Sequence, residues 1–242
     1  VSKVIIGILE CDSVIENLQN DFKDYPNMFI ESFNELGADF EYTIYNVTKN
    51  NFPVDIDECD AYITTGSRAS ANDGDTWIAE LEEFIRSCNR HEKKLVGVCF
   101  GHQLLAKALG GIVERSHSGW GIGLIENRVL RRKPWMEPSL TQFNMIICHE
   151  DQVIQIPEGT ELLVSNVHCT NFIFQCGEKL LGIQGHPEFS KDFCRALMKE
   201  RADIIPKDSL KAGYSSLSDN PNNQILMQWI INFMKQDTVD SN

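Results

Sequence analysis

Leu95-Val96-Gly97-Val98-Cys99-Phe100-Gly101-His102-Gln103 is an apolar strand that breaks at a cysteine and runs straight into the helical pattern Leu104-Leu105-Ala106-Lys107-Ala108-Leu109. Gly97 and Gly101 remove the Cβ atoms that would crowd a sharp strand-to-helix turn, the geometry of the G-x-S-x-G elbow of serine hydrolases. A thiol at such a strand tip sits over a helix N-terminus. Unpaired N–H groups and the positive end of the helix dipole favour the thiolate there and offer donors to a developing oxyanion. Cys99 is therefore the candidate nucleophile.

Working outward, strands are expected at 3–10, 39–47, 60–65 and 94–98, with helices at 26–36, 75–91 and 100–109. Such alternation predicts an α/β fold with a mostly parallel central sheet and helices on both faces. Ligands in these folds gather at the carboxyl ends of the strands, where Cys99 lies. From about 112 to 185 shorter strands follow (122–130, 143–148, 161–166, 171–176, 179–185), a smaller antiparallel region laid against the same sheet. Helices return at 190–203 and 222–235. No linker or repeat divides residues 1–242, so one domain is expected, with 236–242 as a frayed polar tail.

A net charge of −13 argues against nucleic-acid and anionic-membrane surfaces, which require a positive footprint. The basic run Arg131-Arg132-Lys133 is too short to supply one. Val4–Leu9 is far below spanning length and reads as a buried first strand. The eight cysteines have no repeated spacing, which predicts reduced thiols and a cytoplasmic protein. His168-Cys169 and Cys176 match no zinc pattern, and Asp73-Gly74-Asp75 reads as a turn and helix cap. No metal or cofactor is expected.

A cysteine nucleophile needs a base. Gly182-Ile183-Gln184-Gly185-His186-Pro187-Glu188 supplies one at the end of another apolar strand, with Pro187 fixing the turn. His186 is read as the group that takes the thiol proton and returns it to the leaving amine. Glu188 holds the ring and stabilises its charged form.

Gly97-Val98-Cys99-Phe100-Gly101-His102-Gln103 together with His186-Pro187-Glu188 resembles the class I glutamine amidotransferase family. The resemblance extends over nearly the whole chain, through Thr64-Thr65-Gly66-Ser67, Gly119-Trp120-Gly121 and Cys148-His149-Glu150-Asp151. It implies a flavodoxin-like fold and a Cys99–His186–Glu188 triad that cuts the γ-amide of glutamine. The backbone N–H groups of Phe100 and Ser67 would form the oxyanion hole, with Gly66 beside them as a substrate contact. Gln103 would touch the glutamyl part of the substrate, and the main chain around Glu150 and Asp151 its α-amino and α-carboxylate ends. His149 enters by position alone, as a substrate contact or a structural histidine.

Two positions depart from the common pattern. Ser67-Arg68 replaces a glycine and proline in the oxyanion loop, and Gly185 replaces a bulky aromatic before the histidine, which is expected to open space beside the nucleophile. These departures resemble a stand-alone branch, similar to the GMP synthase glutaminase domain, that includes plant γ-glutamyl peptidases. There is no P-loop, and no room is expected for an ATP-pyrophosphatase domain. The leading expectation is a cysteine hydrolase of γ-glutamyl amides acting on glutamine or γ-glutamyl peptides through a thioester. The alternatives are a glutaminase subunit feeding ammonia to a separate synthetase partner, and a non-catalytic binding module.

Overall fold

In the computed structural model, which describes residues 3–236, the chain begins with β1 (Val4–Glu10), α1 (Glu16–Phe22), α2 (Tyr25–Glu35), β2 (Phe40–Asn46), β3 (Ala61–Thr64) and α3 (Thr76–Arg90). Next come β4 (Lys94–Val98), α4 (Phe100–Ala108), β5 (Ile112–Arg115), β6 (Gly121–Val129), β7 (Gln142–His149) and β8 (Asp151–Gln155). The remainder is β9 (Thr160–Ser165), β10 (Ile173–Cys176), β11 (Leu180–Ile183), α5 (Lys191–Glu200), α6 (Lys207–Ser216) and α7 (Asn223–Lys235).

Among the described residues a nine-stranded sheet has the order β2-β1-β3-β4-β11-β10-β9-β6-β7, and β5 pairs with β8 in a separate ribbon. The strands from β2 to β11 in that order are parallel, and each later neighbour is antiparallel to the one before. The antiparallel strands thus continue the parallel sheet edge to edge.

The parallel strands are apolar on both faces because helices cover both. Ile6, Ile8, Val96, Val98, Leu181 and Ile183 point toward the α2 and α7 side, into a core with Phe29, Phe33 and Trp229. Leu9, Leu95 and Leu180 alternate to the other side, against Leu81, Ile85 and Leu104 of α3 and α4. Helix α3 forms because Ile78, Leu81, Ile85 and Cys88 recur on one stripe and are buried. Burying a side chain such as Leu81 contributes about 1.5–3 kcal/mol.

Four elements go beyond the sequence expectation. Helix α1 has a single buried residue, Leu18, and α6 buries only Leu210 and Gly213, so neither carries enough apolar periodicity to be read. Strands β5 and β8 are held by their mutual ladder and by Val113 and Val153 packed beneath. The tail expected at 236–242 lies, from 237 onward, outside the described residues. No described helix is long and apolar enough to cross a membrane.

Candidate active site

The parallel pairing of β4 with β11 brings the two sequence motifs together. Val98 stands opposite Ile183, and the Cys99 N–H donates to the Ile183 carbonyl at 2.8 Å, so the ladder runs up to the cysteine itself. Cys99 caps α4 with φ 51° and ψ −100°. That left-handed conformation costs a non-glycine residue about 1–3 kcal/mol and persists only because the surroundings enforce it.

The flanking glycines do the enforcing. A Cβ on Gly97 would stand 2.5 Å from the Gly101 carbonyl oxygen, and one on Gly101 would stand 1.7 Å from Thr64 Oγ1. That hydroxyl accepts from the Val98 N–H at 3.0 Å, locking the end of β4 to β3. The close approach of α4 to both strands therefore requires two glycines, as the sequence implied.

His186 leaves β11 with its N–H donating to the Ile146 carbonyl at 2.8 Å on β7. Its Nδ1 lies 2.7 Å from Glu188 Oε1, and its ring stacks on Phe189 with centroids 3.9 Å apart and planes 6° from parallel. Burial alone would lower its pKa. The Glu188 carboxylate and then the Cys99 sulfur outweigh burial and hold the imidazole well above the ordinary histidine range. Two other buried histidines move the opposite way. His102, packed on Phe174, is pushed down to about 3 by burial, and His149 falls well below its usual value through burial and neighbouring histidines. Of these three buried histidines, only His186 is shifted toward its charged form.

The Ser67 loop faces Cys99. Asp12 Oδ2 accepts from the Arg68 N–H at 2.9 Å, Ser67 Oγ accepts from the Ala69 N–H at 3.1 Å, and the Arg68 guanidinium closes on Asp12. Among the described residues the Ser67 N–H has no acceptor. Phe100 is the first residue of α4, so its N–H lacks an intrahelical acceptor as well. These are the two N–H groups that the sequence reading expected in an oxyanion hole, and neither has a backbone acceptor among the described residues.

A cleft of about 350 Å³ opens over these groups, lined by Ser67, Cys99, Gln103, Trp120, Glu150 and Asp151 among others. Gln103 borders it, but its amide donates to the Asp151 carbonyl at 2.7 Å and to Gln184 Oε1 at 3.2 Å, fixing the β7–β8 turn. The Glu150 carbonyl already accepts from the Ser116 N–H at 2.8 Å. The two carboxylates are also engaged, Asp151 by the Ser70 hydroxyl at 2.6 Å and Glu150 by Arg115 at 3.4 Å. His149 lies at the cleft wall, and its Nε2 is 3.3 Å from the Gln152 amide.

One expectation is corrected. Gly185 does not open space beside the nucleophile: a Cβ there would stand 2.2 Å from Met145 Sδ and 2.8 Å from Phe172 Cζ. Met145 and Phe172 belong to the core under the sheet, so the room left by the missing side chain is filled from within.

The sequence reading also missed residues. Arg201, just past the end of α5, borders the cleft and a recess of about 20 Å³ beside Cys99 and His186. Its guanidinium donates to Cys148 Sγ at 3.3 Å. The stretch Glu200-Arg201-Ala202-Asp203 has no motif, and only the tertiary fold brings it here. Ser70 and the Asp12–Arg68 pair, which brace the loop that carries Ser67, were likewise silent in the sequence.

The sheet order, the cysteine elbow and the adjoining histidine–glutamate pair define an α/β protein with the layout of an acyl-transfer site. A sequence model of the family described as glutamine amidotransferase class-I matches residues 19–198, and the chain belongs to that family. It is 32% identical over 190 residues to gamma-glutamyl peptidase 3 of Arabidopsis thaliana, covering 75% of each chain. It is also 32% identical over 251 residues to a glutamine amidotransferase-like protein of Schizosaccharomyces pombe, covering 95% of this chain and 98% of that one. A glutamine amidotransferase crystal structure from Thermotoga maritima superposes with a TM-score of 0.73 at 18% identity, over 96% of this chain and 97% of the other, a likeness of fold.

Proposed function

We propose that the chain is a cysteine hydrolase of γ-glutamyl amide bonds, with Cys99, His186 and Glu188 as its catalytic triad. The observation that carries this reading is the β4–β11 register, which sets a cysteine elbow beside a histidine already 2.7 Å from a buried carboxylate. Membership of the amidotransferase family and similarity to proteins named γ-glutamyl peptidase support the γ-glutamyl half of it.

The steps follow from the groups present. The Cys99 thiolate attacks the γ-carbonyl carbon, and the Phe100 and Ser67 N–H groups take the developing oxyanion. Collapse breaks the C–N bond, and His186 gives its proton to the departing nitrogen. Water, deprotonated by His186, then attacks the γ-glutamyl thioester and releases glutamate and the free thiol. Glu188 keeps the imidazole oriented and stabilises its cation throughout.

The test is purified protein with glutamine and a set of γ-glutamyl peptides, followed by glutamate release and by mass spectrometry of quenched samples. Turnover and a glutamyl adduct on Cys99 are expected. Silence toward every γ-glutamyl compound, with no labelling of Cys99 by an electrophilic glutamine analogue, would instead identify a binding module. Turnover only after addition of a synthetase would identify a glutaminase subunit.

A further inference from the structure

Arg201 is a cation beside the nucleophile that, among the described residues, has no anionic partner. Its hydrogen bond goes to the Cys148 sulfur, a weak acceptor. The acidic residues around the cleft are engaged elsewhere, Asp12 by both arms of Arg68, Glu150 by Arg115 and Asp151 by Ser70. Among the described residues no carboxylate forms an ion pair with Arg201. A partly buried guanidinium left in this state favours an anion delivered by a ligand.

Its position says which part of the ligand. The recess beside Cys99 is walled by Arg201, His186, Gly66 and Phe189 among others; Gln103, Glu150 and Asp151 line only the larger cleft, whereas Arg201 borders both and His186 only the recess. Under the function proposed above, His186 protonates the departing nitrogen, so the side of the thiol that His186 and Arg201 share is the leaving-group side. Arg201 also continues into the larger cleft, where a chain extending from that nitrogen has room.

We infer that Arg201 binds a carboxylate carried by the leaving amine, so that the preferred substrates are γ-glutamyl peptides with a free C-terminal carboxylate rather than glutamine. The planar fork of arginine takes a carboxylate through two parallel hydrogen bonds, and a substrate lacking that group leaves the guanidinium unanswered. Hydrogen bonds to charged groups of this kind are worth roughly 10- to 100-fold in kcat/KM. Arg201 selects the leaving group; the bond is broken by the triad.

The inference rests on the hydrolase reading, and one experiment separates the two. kcat/KM is measured for γ-glutamylalanine and for its C-terminal amide, with wild type, Arg201→Gln and Arg201→Lys, and thermal melting verifies folding. The free acid is expected to be preferred at least tenfold by wild type, with the ratio falling to about 1 in Arg201→Gln and to an intermediate value in Arg201→Lys. On wild type alone, N-acetylalanine is expected to inhibit and its amide not, a reading that holds even where a variant fails to fold. Hydrolysis with no preference for the acid, equal inhibition by both compounds, or a preference that survives Arg201→Gln overturns the inference and leaves the hydrolase reading standing. No turnover of either compound, nor of glutamine, removes both.

Discussion

Gly66 and His186 share a single contact surface: a Cβ built on Gly66 would stand 2.9 Å from Cε1 of the imidazole and 3.7 Å from Cβ of Cys99. The missing methyl is what lets the histidine and cysteine stand together. Gly66→Ala should therefore displace the ring by a few tenths of an ångström and lower kcat by roughly 10- to 100-fold. Thermal stability should change little, because the ring borders a cavity that can absorb the shift. Steady-state kinetics and a melting curve on the same sample check both halves.

Replacing Cys99 separates chemistry from strain. Cys99→Ala should reduce hydrolysis at least about 1,000-fold with the fold intact, since the small side chain suits the elbow. Cys99→Gly should be equally inactive yet melt above Cys99→Ala, because glycine occupies φ 51° without the penalty a Cβ brings. Equal or lower stability of the glycine variant would show that the elbow stores no strain.

Glu188 governs the pH range of the site. The Glu188 carboxylate is the leading influence that raises the His186 pKa against the lowering effect of burial, so Glu188→Gln should let that value fall. The alkaline limb of the kcat/KM profile, where the imidazolium is lost, should then move to lower pH. Activity should remain well above that of His186→Ala, since orientation by the amide survives while proton transfer does not. The stability consequence has the same origin. A folded-state pKa above about 6.5 stabilises the fold fully below that pH and less as pH rises through the folded value. The melting temperatures of wild type and Glu188→Gln should accordingly converge as pH rises.

Gly185→Ala should be a stability variant. Its Cβ would meet Met145 Sδ at 2.2 Å, and a flexible thioether can move only at the expense of neighbouring packing. A loss of about 1–3 kcal/mol in chemical denaturation is expected, typical of an overpacked core. Relative kcat/KM values across γ-glutamyl substrates of different size should stay the same. A change in that ranking would return Gly185 to the cleft.

The parts of the molecule legible in the sequence were those whose physics is local. Leu95–Gln103 announced its turn because an apolar strand that breaks at a cysteine between two glycines and runs into a helical pattern has few other uses, and the apolar run Val4–Leu9 and the helical stripe of α3 carried their own evidence. Gly185 misled because a missing side chain tells nothing of its direction, and β11 turns that position toward Met145. Arg201 was invisible for another reason: its role depends on α5 ending beside Cys148, a contact between residues far apart in the chain. Helix α6 was equally silent, its Gly213 seated against Ile122 of β6 rather than displayed in any periodic pattern.

The pairing of β4 with β11 has an evolutionary reading. Because Val98 faces Ile183 in register, the gap between sulfur and imidazole is scaled by the spacing of neighbouring strands, about 4.8 Å, and is as rigid as the backbone ladder that sets it. Leaving-group selectivity is assigned to a residue on the helical side of the molecule, outside that ladder. On the function proposed above, a change of leaving amine calls for changes only at the approach to the sulfur, while the strand register that stands the cysteine beside the histidine can stay as it is.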